Sequence, residues 1–162
     1  MATPTSLPAT FVAGDVLTAA QMNNLRGAFR IMQVVYASTT TETSTTSTTY
    51  ATTTLAATIT PSATSSKILI FTNSQLSSNS AAMQTGLRIF DGSTAILTNN
   101  RAIIQNAAGD LAMLQTMIYL DSPNTTSAKT YTLQFARTSG SGTVVAQSNA
   151  APSTMILCEV SA

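Results

Sequence analysis

Histidine is absent from this chain and charge is scarce. The first absence removes the commonest general base, the usual catalytic triads and most transition-metal sites. The second leaves 7 Lys and Arg against 6 Asp and Glu, so 8% of residues are charged. An average soluble domain carries roughly 25%. A net charge of +1 offers no basic footprint for nucleic acid. No apolar run approaches the ~18 residues that span a membrane. Neither nucleic acid nor membrane is therefore an expected partner. Cys158 is the single cysteine, which excludes an intrachain disulfide. It lies in Met155-Ile156-Leu157-Cys158-Glu159-Val160, a strand-like run, where a buried structural thiol is expected.

The remaining chemistry is equally thin. No D-x-D-x-D-G loop points to calcium and no G-x-x-x-x-G-K motif points to a nucleotide. No cofactor or metal is expected. The carboxylates are Asp15, Glu42, Asp91, Asp110, Asp121 and Glu159. Asp91, Asp110 and Asp121 fall in predicted turns, where Asp has a conformational task. Ser141 lies in a Gly/Ser hairpin loop rather than at a strand–elbow–helix nucleophile. Asn124-Thr125-Thr126 matches a glycosylation sequon, a match common by chance. No basic n-region and long apolar run follow Met1, so no signal peptide is expected. Nothing here reads as an enzyme.

What is present is hydrophobic residues at 44% and a great deal of Thr, Ser, Asn and Gln. At 162 residues the chain can close one proper core and carry an arm besides. A nearly neutral surface repels copies of itself weakly, which suits a protein that packs into an assembly. Two regions are predicted: an arm and anchor helix over residues 1–30, and a β-sandwich over residues 31–162.

The arm opens with Pro4 and Pro8, which favour extended chain. Leu7, Phe11 and Val12 are apolar in a segment too short for a core of its own. Thr18 and Gln21 then form a capping box, and Leu17 and Met22 occupy the two positions of a hydrophobic staple. Met22, Leu25, Phe29 and Met32 follow at helical spacing on one face. Gly27 weakens the second half, so the helix is predicted to end between Gly27 and Arg30. So short a helix is marginal alone and must pack on its own domain, a sister subunit or a partner. Leu7, Phe11, Val12, Leu17, Met22, Leu25 and Phe29 are the predicted anchoring or intersubunit contacts.

After Arg30 the pattern changes to period two. Strands are predicted at Ile31 to Tyr36, Ser47 to Thr53, Leu55 to Thr60 and Lys67 to Thr72. Others follow at Gly86 to Phe90, Ala95 to Thr98, Ala102 to Gln105 and Leu111 to Leu120. The last are Lys129 to Arg137, Val144 to Gln147 and Ser153 to Val160. Asp91-Gly92 is a strong hairpin signal. Leu111 to Leu120 is apolar on both faces, which predicts a central strand or one at a subunit interface. No crossover helix follows Arg30, which excludes a parallel α/β sheet. The fold class is all-β: an antiparallel jelly-roll-like sandwich behind an extended arm and one short helix.

The opening Gly14-Asp15-Val16-Leu17-Thr18-Ala19-Ala20-Gln21-Met22-Asn23-Asn24-Leu25-Arg26 resembles the start of many tailed-bacteriophage virion proteins. Thr60-Pro61-Ser62-Ala63-Thr64-Ser65-Ser66-Lys67-Ile68-Leu69-Ile70, then Phe90-Asp91-Gly92, then Tyr119-Leu120-Asp121-Ser122-Pro123 continue the likeness. That order is similar to small phage fibre and decoration proteins with jelly-roll heads. The resemblance implies a structural role, a place on the capsid surface or tail, production in the bacterial host cytoplasm and assembly as a homotrimer. A capsid decoration (cement) or head-fibre protein fits best, with a major capsid protein or another virion protein as partner. The rival is a tail fibre or receptor-binding adhesin. Its polar loops, Asn73 to Ala82 and Asn99 to Asp110, would hold a host surface receptor. A polysaccharide-cleaving enzyme is the third class.

Overall fold

A computed structural model describes residues 31–107 and 109–161. The predicted arm and helix, with Leu7, Phe11, Val12, Leu17, Met22, Leu25 and Phe29, lie outside the described residues. Among the described residues, ten strands make two antiparallel sheets. They are β1 (Ile31–Thr39), β2 (Thr43–Thr45), β3 (Ala51–Ile59), β4 (Lys67–Ser78) and β5 (Met83–Phe90), followed by β6 (Ala95–Gln105), β7 (Leu111–Asp121), β8 (Lys129–Ser139), β9 (Val144–Ala146) and β10 (Ser153–Val160).

The first sheet runs β1-β10-β4-β7, with β9 and β2 carrying the β10 and β1 rows onward along β4. The second runs β3-β8-β5-β6. With β1 and β2 taken as one row and β9 and β10 as another, successive rows alternate between the sheets except at the β5–β6 hairpin, which stays within the second. This is the jelly-roll order, two antiparallel sheets of four rows each. The all-β sandwich predicted from the strand spacing is what the described residues form.

The core lies between the sheets because alternate residues of each strand point inward. On the first sheet these include Ile68, Ile70 and Leu76 of β4 with Met155 and Leu157 of β10, all fully buried. Opposite them stand Leu55 and Ile59 of β3, Leu87 and Ile89 of β5, and Tyr131, Leu133 and Phe135 of β8. Each large aliphatic side chain buried here contributes about 1.5–3 kcal/mol relative to exposure.

Several strands depart from the sequence reading. Ser47 to Thr53 and Leu55 to Thr60 are one strand, β3, whose pairing with β8 shifts register between Thr52 and Ala56. β4 continues to Ser78, through residues predicted as a polar stretch. Ser74 and Ser78 point inward there and are satisfied by neighbours: the Ser153 hydroxyl donates to that of Ser74 at 2.9 Å, and Ser78 donates to Gln105. β6 runs through Asn99 and Asn100 without a turn. The proposed receptor loops are therefore largely strand. β7 is not central: it pairs with β4 alone and forms a sheet edge.

The turns are held by their own side chains. Oδ1 of Asp91 accepts from the backbone N–H groups of Ser93 at 2.8 Å and Thr94 at 2.7 Å. Lys129 Nζ lies 2.7 Å from Oδ2 of Asp91 and ties β8 to the β5–β6 turn. Burial raises the Asp91 pKa, but Lys129 and the Ser93 and Thr94 donors outweigh it and hold the carboxyl well below the usual range.

Candidate interaction face

The outward side of the first sheet is apolar across its whole width. Register decides this, because residues paired across neighbouring strands share a face. Val34 pairs with Cys158, Cys158 with Leu69, and Leu69 with Leu120. Two residues along, Tyr36 pairs with Ile156, Ile156 with Phe71, and Phe71 with Ile118. Two complete cross-strand rows thus carry no charged side chain. Ser38, Thr154, Asn73 and Thr116 form the polar row beside them.

These rows are open. Val34 is 59% exposed, Tyr36 62%, Ile118 57% and Leu120 50%. Leu114, further along β7, is 64% exposed. Cys158 is buried within its row at 7%, as expected for a structural thiol. Scattered exposed aliphatics are ordinary, but a contiguous patch across a sheet marks an interaction surface. A shallow depression of about 360 Å³ adjoins it, lined by Asn73, Gln75, Leu114, Ala151, Pro152 and Thr154.

The outward side of the second sheet is different. Thr52, Thr54 and Thr58 of β3 are exposed, and Thr58 and Thr130 share a hydroxyl–hydroxyl bond of 2.8 Å. The guanidinium of Arg88 lies 4.3 Å from the centre of the Tyr50 ring, and its Nε donates to Gln134 at 2.7 Å. Tyr50 in turn donates to Asn100 at 2.7 Å. This face is largely polar, although Ile104 of β6 is 47% exposed, and Arg88 is engaged with the Tyr50 and Phe90 rings.

Catalytic geometry does not appear among the described residues. Glu159 is fully buried and accepts from Gln33, from the Ser62 N–H and from the Ser62 hydroxyl. Burial raises its pKa, yet the bonds from Ser62, Ser66 and Gln33 prevail and hold it down to about 2. Asp121 accepts from the Tyr131 hydroxyl at 2.6 Å. Burial is the main cause that raises the Tyr131 pKa, with Asp121 adding to it. These carboxylates fasten strands. No group of three or more Cys, Asp or Glu among the described residues can hold a metal ion. No helix among them is long and apolar enough to cross a membrane.

The sequence marked β7 as a candidate interface strand, and its even-numbered side chains form one end of the apolar rows. The contributions of β1, β4 and β10 were not visible, because alignment across four strands requires the strand order. The signal that existed was alternation in which both phases are apolar, as in Ile31 to Tyr36 and Ile68 to Phe71.

No protein-family model matches the sequence, and no curated protein sequence matches it. Among solved structures, a chain of infectious bursal disease virus strain Gx is similar at 14% identity, with a TM-score of 0.43. The match covers 80% of this chain and 38% of that one. A mutant VP2 protein of the same virus, from T=1 particles, matches at 12% identity and a TM-score of 0.40 over 79% and 36% of the two chains. The chain thus spans well under half the length of these proteins. The jelly-roll assignment rests on the strand order above and not on these partial superpositions.

Proposed function

We propose that this is a non-enzymatic virion structural protein of a tailed bacteriophage, a capsid decoration or head-fibre protein that assembles as a homotrimer. The observation that carries this reading is the pair of uncharged rows across β1, β10, β4 and β7. A protein that worked dispersed in solution would gain nothing from Val34, Tyr36, Ile118 and Leu120 on one open face. A protein that is permanently covered by others gains about 25 cal/mol for each Å² of apolar area removed from water. The opening segment supports the virion placement through its resemblance to phage virion proteins. Leu7, Phe11 and Val12 then seat the arm on the particle, against the major capsid protein or another virion protein. Each contact is modest, and three linked copies multiply it by avidity.

The tail-adhesin reading loses support, since much of its two receptor loops is strand in β4 and β6. Mixing the purified protein with mature tail-less capsids and sedimenting them tests the proposal. Saturable co-sedimentation, lost on deletion of residues 1–12, is the expected result. Protein that stays in the supernatant while binding intact host cells overturns the capsid placement.

A further inference from the structure

The apolar rows need a cover, and three-fold assembly restricts what it can be. In a closed trimer the contact is heterologous: one patch of a copy meets a different patch of the next. The sandwich offers one broad apolar face among its described residues. Its other outward face carries Ile104 at 47% exposure, but around it stand Thr, Gln and a guanidinium already stacked on Tyr50, so it has no continuous apolar row. The core between the sheets is already built from side chains of the described strands. The second patch must come from residues 1–30.

We infer that residues 17–29 of one copy pack across the outward face of the β1-β10-β4-β7 sheet of the neighbouring copy. This rests on the three-fold reading above. The segment Leu17 to Phe29 holds one charge, Arg26, and sets Met22, Leu25 and Phe29 on one side at helical spacing. Both surfaces are therefore apolar, and the two rows carry no charge to oppose Arg26; Lys67 lies in the row beyond them. The dimensions agree. Ten helical residues extend about 15 Å, and three inter-strand gaps of ~4.8 Å carry the four-stranded face to about 14 Å. Two rows of side chains lie about 7 Å apart along the strands, which leaves a shallow trough for one helix ridge. The segment also ends where the face begins. Met32, the last residue of the stripe, is 48% exposed on β1, two residues before Val34. A segment folded over its own sheet would consume both apolar surfaces and leave nothing to hold three copies together.

Paired cysteines test this in the full chain. In a Cys158→Ser background, Leu25→Cys is combined with Ile118→Cys, and separately Met22→Cys with Phe71→Cys. Each protein is oxidised and run without reductant, and the unoxidised protein is weighed by native mass spectrometry. The expected result is covalent ladders ending at three chains from at least one pair, with single variants remaining single chains. Disulfides confined within one chain, in protein that still weighs three chains, overturn the exchange and leave the trimer standing. A trimer that gives no disulfide from either pair likewise overturns it. A native mass of one chain overturns the inference and the three-fold reading together.

Discussion

Gln33 on β1 and Glu159 on β10 stand side by side, and the amide donates to the carboxylate at 2.7 Å. The same amide reaches the Thr60 carbonyl at 2.6 Å, and Glu159 also takes the Ser62 N–H at 2.7 Å. One buried carboxylate thus joins the edge strand, its neighbour and the β3–β4 connection. Its charged form is what the donors satisfy, so its pKa falls from an ordinary 4.5 to about 2.

A folded-state pKa below the unfolded value gives stability that is complete above the unfolded pKa and lost as pH falls through the folded one. Thermal unfolding midpoints should therefore hold steady above about pH 4.5 and fall between there and about pH 2. In Glu159→Gln this acid limb should flatten. Glu159→Ala leaves the Ser62 and Gln33 donors unpaired and should cost about 3 kcal/mol in urea unfolding at pH 7.

Gly86 has no side chain because Tyr50 lies across it. A β-carbon there would overlap Oη of Tyr50 and stand 2.7 Å from Cγ2 of Thr138. Gly86→Ala should destabilise the fold by about 2 kcal/mol, the usual cost of overpacking. Adding Tyr50→Ala should recover part of that loss, although Asn100 and Arg88 lose their partner. A double-mutant cycle in urea would show the coupling as a non-additive difference.

Asp91 organises the β5–β6 turn and grips Lys129. Asp91→Ala frees two backbone N–H groups and an ammonium, and should cost about 1–2 kcal/mol. Faster amide exchange at Ser93 and Thr94, ahead of the core strands, would locate the effect in the turn.

Ile118 faces outward at the edge of the apolar rows, so its charge variant separates assembly from folding. Ile118→Lys should shift monomer stability by about 0.5 kcal/mol or less, as exposed substitutions do. It should dissociate the proposed trimer in light scattering after size exclusion. A variant that unfolds would place Ile118 in the core instead.

Much of the sandwich was legible because its inward residues alternate with polar ones. Tyr131, Leu133 and Phe135 between Thr132 and Gln134 show this most plainly. The failures have physical causes. The inward positions Ser74 and Ser78 of β4 are polar and satisfied by Ser153 and Gln105, partners far away in sequence, so the strand lost its alternation. β3 was split because its inward residue Thr53 is polar and satisfied by the Leu133 carbonyl, so the apolar alternation starts only at Leu55. Asn99 and Asn100 mimic a turn, but the Asn100 side chain accepts from Tyr50 and its carbonyl from Thr138. The interaction face was half legible. Leu111 to Leu120 showed that one strand had a second apolar side, whereas the coincidence of four such sides is a property of the topology. The predicted anchor residues between Leu7 and Phe29 lie outside the described residues and remain expectations.

Sedimentation equilibrium of the full chain, at neutral pH, tests the central claim most directly. The claim is that the β1-β10-β4-β7 face is covered by other copies of the protein. It predicts a mass three times the 16.8 kDa of one chain, maintained on dilution and lost in Ile118→Lys. A stable mass of 16.8 kDa across the same concentrations would contradict it.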